Sequence, residues 1–394
     1  MNPSPGSIAG TPPADHPVAG ASPDRVAGPV APPGNHAGDS PCFILPPELE
    51  AAEPPEARGL RRDAVRLLVA RKRHGSLSHH HFTDLPSLLN QGDVVAVNTS
   101  ATIPAALDAE TSAGERARLH LSGRLPGGLW VVELRHRLPG PRDAADRSST
   151  PWLDAEPGLS LGLPDGAIAV LRTPATAGLH AGFPVRLWVA TIDLPESPLC
   201  YLAKHGKPIR YAHVTKDWPI SYYQTVFAEV PGSAEMPSAA RPFSAEVTTR
   251  LAAKGIVVAP FVLHCGVSSA ESHEPPGAEW FKVPATTAEL INQAHRRGSK
   301  VIAVGTTAVR ALQTAAGDDG IVHPAEGWTE LVINPDTRIT GIDGLITGWH
   351  EPGASHLSLL QAVGGSHLVE ASYGEALESG YLWHEFGDSH LILR

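Results

Sequence analysis

The densest local chemistry in the chain is Val301-Ile302-Ala303-Val304 followed at once by Gly305-Thr306-Thr307 and, one turn later, by Arg310. A short apolar strand that runs into a glycine and two hydroxyls suits ligand binding in an open parallel sheet. Ligands bind there at the carboxyl ends of the strands, where an opening helix offers unbonded N–H groups and the positive end of its dipole. Gly305 would let the backbone approach a ligand closely. Thr306 and Thr307 would cap the helix or bond a ribose or carboxylate, and Arg310 would add a cation. An ordinary helix start has the same sequence, so both readings stand at this point. Two further clusters invite chemistry. His79-His80-His81 suggests a metal, yet consecutive strand residues face opposite ways and three in a row do not converge on one ion. No metal is expected. Arg58, Arg61, Arg62, Arg66, Arg71, Lys72 and Arg73 crowd one stretch, which reads as a basic patch or, more commonly, as a solvated, ion-paired face.

The elements that must position these residues follow from hydrophobic pattern. Val65 to Ala70 reads as a buried strand, Asp84 to Leu89 as a short helix ended by Gly92-Asp93, and Val94 to Val97 as a second buried strand delivering Asn98-Thr99-Ser100. From Phe243 onward helices and strands alternate: helix 244–254, strand 256–263, helix 286–297, strand 300–304 and helix 307–316. That alternation predicts an α/β fold, a mainly parallel sheet with helices on both faces. Between about Leu107 and Leu194 short runs such as 129–134, 167–171 and 185–189 are separated by Gly, Pro and Asp, which predicts a small inserted antiparallel β domain. Residues 139–158 lack apolar periodicity and are expected to form a long exposed loop. The expected domains are thus a disordered Pro/Gly/Ala-rich tail over 1–42, an α/β domain over 43–106 and 195–394, and a β-barrel over 107–194.

Composition narrows the function. A chain of 394 residues that is 42% hydrophobic buries a substantial core. The formal charge of −10 disfavours a broad nucleic-acid footprint, which draws its affinity from clustered Lys and Arg. Cys42, Cys200 and Cys265 lie far apart, so neither a disulfide framework nor a cysteine zinc site is indicated. Nowhere do about 18 uncharged apolar residues occur together, and no basic leader precedes an apolar run. The expected setting is the cytoplasm, with no membrane partner.

Six segments occur in a telling order: Arg62-Asp63-Ala64-Val65-Arg66-Leu67-Leu68-Val69, Tyr223-Gln224-Thr225-Val226-Phe227-Ala228, Leu263-His264-Cys265-Gly266, Ala303 to Arg310, Gly348-Trp349-His350-Glu351-Pro352, and Phe386-Gly387-Asp388-Ser389-His390-Leu391-Ile392. In this order they resemble the motifs of S-adenosylmethionine:tRNA ribosyltransferase-isomerases of queuosine synthesis, over nearly everything from Phe43 to Leu393. The resemblance implies an α/β domain with an inserted β-barrel. It also implies a transferase and isomerase that uses S-adenosylmethionine as substrate and needs no metal or redox cofactor. In such enzymes a base removes a proton from the sulfonium-activated C5′ carbon, adenine leaves as the ribose opens, and methionine departs after rearrangement. The acceptor is a 7-aminomethyl-7-deazaguanine in tRNA.

That chemistry asks for a base of modest strength, an acid for adenine and excluded water. The resemblance offers His264, Glu279, His350 and Asp388 as catalytic candidates. It offers Arg66, His79, Asn98, Tyr223, Gln224, Gly305, Thr306, Thr307 and Arg310 as substrate-binding ones. The chain also departs from the pattern. Where the family carries Asn-Asp-Thr-Arg-Val-Ile-Pro-Ala-Arg, this chain has Asn98-Thr99-Ser100-Ala101-Thr102-Ile103-Pro104-Ala105-Ala106, so both arginines are alanine. A family histidine is replaced by Pro242, and Arg241 is new. An arginine fork binds phosphate or carboxylate bidentately and alanine does not. Two alternatives therefore accompany tRNA modification: a diverged paralogue using S-adenosylmethionine on a small-molecule acceptor, and a non-catalytic nucleoside-binding protein; under each reading the chain is expected to be a monomer.

Overall fold

The computed structural model describes residues 43–137, 149–175, 184–268 and 276–394. The segment 1–42 with Cys42, and residues 139–148 of the expected loop, lie outside them.

Strand β1 (Arg66–Arg71) turns back into β2 (Ser76–His81), short helix α1 (Leu85–Leu88) follows, and β3 (Val94–Asn98) leads into the brief β4 (Ser100–Thr102). Next come β5 (Ala106–Thr111), β6 (Arg116–Arg124), β7 (Leu129–Arg137), β8 (Ser149–Pro151), β9 (Ser160–Gly162), β10 (Ile168–Pro174) and β11 (Leu187–Asp193). The chain then forms α2 (Pro198–His205), β12 (Val230–Ser233), α3 (Ala245–Ala253), β13 (Val257–Leu263), β14 (Glu279–Val283), α4 (Ala285–Arg296), β15 (Val301–Val304) and α5 (Thr306–Ala315). Last are β16 (Ala325–Thr329), β17 (Gly344–Thr347), α6 (Ser355–Gly364), α7 (Ser366–Glu378) and β18 (Ser389–Leu393).

The main sheet runs β16-β14-β13-β3-β15-β17-β18-β1-β2. Side chains alternate across it with period two. Leu68, Val94, Ala96, Ala303, Leu345 and Ile392 pack on one face beneath α4, α5, α6 and α7. Leu67, Val95, Val97, Ile302, Ile346 and Leu391 pack on the other, beneath α1, α3 and Phe243. Helices therefore cover both faces, as the alternating pattern predicts. The sheet is mixed rather than mainly parallel. The pairings β13–β3, β3–β15, β15–β17 and β18–β1 are parallel, whereas β14–β16, β13–β14, β17–β18 and β1–β2 are antiparallel. The reversal at β18 has a simple cause. Two helices in succession, α6 and α7, return the chain to the sheet edge it left, where a single helix would have carried it to the opposite edge.

The second sheet closes on itself through β5–β6, β6–β7, β7–β11, β11–β10, β10–β9 and β9–β5, a six-stranded antiparallel barrel. Strand β8 adds to the free end of β7. That strand and the buried Trp152 correct the expectation of one exposed loop through 158: Trp152 stacks on His136, with ring centroids 4.0 Å apart. A single indole gives no periodicity, so the pattern missed it. The barrel core also takes in Tyr201 and Leu202 of α2, Ala234 and Val267.

Candidate functional site

Register brings the candidate residues to one edge of the main sheet. Strands β13, β3, β15 and β17 end there, and β14, β18 and β1 begin there. Asn98 lies opposite Phe261, Ile346 opposite Val304, His390 opposite Thr347, Ser389 opposite Leu67, and Phe281 opposite Leu263. Asn98, His264, Glu279, Gly305, Thr306, Thr307, His350, Asp388 and Arg66 therefore share this edge despite being spread over more than three hundred residues.

His264 follows β13 and is held on two sides. Its Nδ1 meets the Ser100 hydroxyl at 2.8 Å, and its ring stacks on Trp280 at 5.1 Å. Gly232 is needed beside it, since a Cβ there would come within 2.4 Å of the imidazole. Burial pushes the His264 pKa down, so the ring is neutral at pH 7 and its remaining nitrogen, without a partner among the described residues, is a proton acceptor. Ser100 is itself fixed by Ser233 at 2.6 Å.

Gly305 holds φ at 94°, in the left-handed region that favours glycine. Its N–H donates to the Ile346 carbonyl at 2.8 Å. No side chain caps α5, so the hydroxyls of Thr306 and Thr307 do not play the capping role the sequence allowed. The Thr307 hydroxyl reaches the Cys265 thiol instead. The backbone N–H groups of Thr306 and Thr307 open α5 at this edge. Arg310 is not a free cation. It is buried, bonds the Glu279 carboxylate, and donates to the carbonyls of Gly277 at 3.0 Å and Leu331 at 3.0 Å. Glu279 also accepts the Gly266 N–H at 3.0 Å. Burial raises the Glu279 pKa and the Arg310 charge opposes that rise.

His350 meets the Thr347 hydroxyl at 2.9 Å and lies face to face with His356 at 4.5 Å. Burial drives both pKa values down, that of His356 to about 4 with help from Arg310. Asp388 accepts from the Arg66 N–H at 2.8 Å, the Arg66 guanidinium at 3.1 Å and the Leu382 N–H at 2.9 Å. Arg66 also covers the Tyr381 ring at 4.1 Å, and His79 bonds the Tyr381 hydroxyl at 2.9 Å. These three candidates form one clasp joining β1, β2 and β18. His80 turns to Ser78, so the histidine run does not converge. Among the described residues no group of three or more metal-ligating side chains is gathered, and no helix is long and apolar enough to cross a membrane.

Asn98 is fully engaged within the sheet. Its amide donates to the Leu263 carbonyl at 2.8 Å, and its oxygen accepts from Leu263 at 2.9 Å and Ser100 at 3.0 Å. Tyr223 and Gln224 lie in the segment after α2, where the Tyr223 ring packs on Phe386 at 5.3 Å and the Gln224 carbonyl accepts from Arg62 at 3.2 Å. Gln224 clamps Thr102 through bonds of 3.0 and 2.7 Å. Both line a cavity of about 600 Å³ between that segment and the barrel. Three of the seven basic residues of that stretch are ion-paired, Arg61 on Asp63 and Glu246, Arg62 on Glu56 and Arg66 on Asp388. Arg241 does not replace the missing arginines as a free charge: it bonds Glu56 at 2.8 Å.

Sequence reasoning missed His356, which belongs to none of the six segments and comes under the influence of the Arg310 charge only through the packing of α6. It also missed the stacked pair His213 and His384, 3.9 Å apart, with His213 on Glu385 at 2.8 Å. The positive φ of 70° at His384 is invisible in sequence.

A family model described as queuosine biosynthesis protein matches residues 40–392. The S-adenosylmethionine:tRNA ribosyltransferase-isomerase of Symbiobacterium thermophilum is 34% identical over 89% of this chain and 98% of its own length. The protein of the same name from Moorella thermoacetica is likewise 34% identical over the same shares. A crystal structure of S-adenosylmethionine tRNA ribosyltransferase from Thermotoga maritima is 26% identical, covers 89% of this chain and 99% of that one, and has a TM-score of 0.48.

Proposed function

The chain belongs to the family of queuosine biosynthesis proteins, and from that premise we propose that it is an S-adenosylmethionine-dependent ribosyltransferase-isomerase. It transfers and isomerises the ribosyl group of S-adenosylmethionine onto a 7-aminomethyl-7-deazaguanine in tRNA, with release of adenine and methionine. The observation that carries this reading is the gathering, at one sheet edge, of a neutral imidazole and an uncapped helix start at a positive-φ glycine.

A sulfonium acidifies the adjacent C5′–H, so a neutral imidazole is base enough. His264 takes that role: the Ser100 contact at Nδ1 orients the ring and leaves Nε2 to accept the proton. The amides of Thr306 and Thr307 at the start of α5 hold the polar end of the donor. Glu279 is a positioning residue, since it fixes the Gly266 turn next to His264 and holds Arg310. The half-buried His350–His356 stack supplies a neutral wall that limits water at the reacting ribose. Asp388, Arg66 and His79 brace the edge rather than meet the ribose.

The test is direct. Incubated with S-adenosylmethionine and tRNA carrying the aminomethyl-deazaguanine, the protein releases adenine and methionine in equal amounts. Protein that binds S-adenosylmethionine yet releases neither with this acceptor would sink the proposal.

A further inference from the structure

His264 stands at the end of β13, where the antiparallel register sets Trp280 of β14 opposite it: Leu263 pairs with Phe281, and the His264 N–H donates to the Trp280 carbonyl at 3.0 Å. Residues opposed in this way place their side chains on the same side of the sheet. The sheet itself therefore lays the indole along the imidazole, with ring centroids 5.1 Å apart and planes tilted by 22°. Gly232 closes in from β12, since a Cβ there would come within 2.4 Å of the ring. The imidazole is held in this pose.

A base that takes a proton becomes a cation, and a half-buried cation needs a counter-charge or a substitute for one. No carboxylate among the described residues bonds the His264 ring. On β14 the neighbouring Glu279 turns to the Gly266 N–H and Arg310, and Lys282, two residues beyond the indole, pairs with Glu326 at 2.8 Å. Glu229 and Glu235 flank β12; the first is exposed, and the second takes the Ser268 N–H at 2.9 Å and bonds Tyr211. Strand β4 supplies the neutral Ser100 hydroxyl at Nδ1. The adjoining Cys265 thiol is held protonated by burial.

The indole face fills the gap. Tryptophan is the best aromatic partner for a cation, which is attracted within about 6 Å of the ring centroid and more strongly where water is partly excluded. Burial and indole thus act on the ring in opposite directions. Burial lowers the His264 pKa, and the indole restrains that fall.

We propose that Trp280 is a positioning residue of the reaction: its π face stabilises the imidazolium that forms when Nε2 of His264 takes the C5′ proton, the electron pair staying on the carbon beside the sulfonium. The part played in the reaction rests on the function proposed above; the contact between indole and imidazolium does not.

Deuterium exchange of the His264 C2–H, followed by mass spectrometry across a pH series, reads the protonation midpoint of this one histidine in the full chain and needs no turnover. Trp280→Leu and Trp280→Met each lower that midpoint by about 0.5–1 on the pH scale, the size of a partly desolvated cation–π contact. Two variants are used so that poor folding of one leaves the other to decide. Trp280→Phe, which keeps a ring, lowers the midpoint less. An indole that merely filled space would give the reverse sign, because its loss admits water, relieves burial and raises the midpoint. A midpoint raised or unchanged in the Leu and Met variants overturns the proposal. With tRNA carrying the aminomethyl-deazaguanine, the acid limb of adenine release moves to lower pH by the same amount, and the plateau falls by about threefold as a weaker base demands. An acid limb that stays in place while the exchange midpoint moves overturns the role in the reaction, because His264 is then not its base. Protein that shows the midpoint shift yet releases no adenine refutes the proposed function and upholds the contact.

Discussion

At the scale of single residues, Gly305 and His264 make opposite demands on the chain. Gly305 is needed for its backbone. An added Cβ would meet Thr307 and Ala239 at 3.4 and 3.6 Å, which is ordinary contact, so the cost of Gly305→Ala is conformational, about 1–3 kcal/mol for a left-handed alanine. Thermal unfolding should register that loss together with weaker S-adenosylmethionine binding; an alanine variant of unchanged stability would show that the turn is unstrained. His264 is needed for its ring. Because its pKa is lowered by burial, the basic form predominates at pH 7. Adenine release should therefore be flat above pH 6.5 and fall on the acid side, with a midpoint below the ordinary histidine value. His264→Ala should reduce turnover by about 10²–10⁴ and leave S-adenosylmethionine affinity near that of the parent. The sequence made His264 visible because Leu263-His264-Cys265-Gly266 is contiguous. His356 was not visible, because its partners His350 and Arg310 come from other elements.

Among the elements, the barrel depends on a charge at its centre. Glu133 of β7 is fully buried and bonds His120 at 3.1 Å, Arg135 at 2.7 Å and Arg186 at 3.0 Å. Burial alone would raise its pKa, but His120, Arg135 and Arg186 outweigh it and hold the value at about 2. A carboxyl depressed in the folded state stabilises above its unfolded value and loses that contribution as pH falls toward the folded one. Barrel stability should thus decline between pH 4.5 and 2. Glu133→Gln should lower stability at pH 7 by about 3–5 kcal/mol, because it strands buried arginines, and should flatten that acid slope; denaturant titrations at several pH values measure both. The strands of the barrel were legible as short apolar runs between Gly, Pro and Asp. Its ionic centre was not, because Glu133 and Arg186 read as ordinary polar positions of half-buried strands.

Across the whole molecule, the α/β core carries an acid sensitivity of its own. Half-buried His356 and fully buried His390 are neutral, with pKa values of about 4 and about 3, and His390 has no partner at either ring nitrogen among the described residues. Unfolded histidine binds protons near pH 6.5, so these lowered values subtract stability as pH falls below 6.5, by about 2 kcal/mol each at pH 5. His390→Leu should raise stability at pH 5 more than at pH 8, as read by thermal unfolding; an equal gain at both would mean that the ring is not neutral when folded. The helix-strand alternation foretold two covered faces because period and length carry that information. It did not foretell the mixed sheet, since strand direction depends on how many helices intervene, and α6 and α7 were not resolved as a pair.

The seating of β18 between β17 and β1 has a kinetic consequence. Leu67 pairs with Ser389 across almost the whole described chain, so β1 and β2 join the other strands only through residues made more than three hundred positions later. On a translating ribosome the early hairpin must wait, unpaired along one side, until that strand arrives. Contacts of such separation close slowly. In refolding followed by pulsed hydrogen exchange, the amides of β1 that face β18 should be among the last to gain protection, after those of β3 and β15.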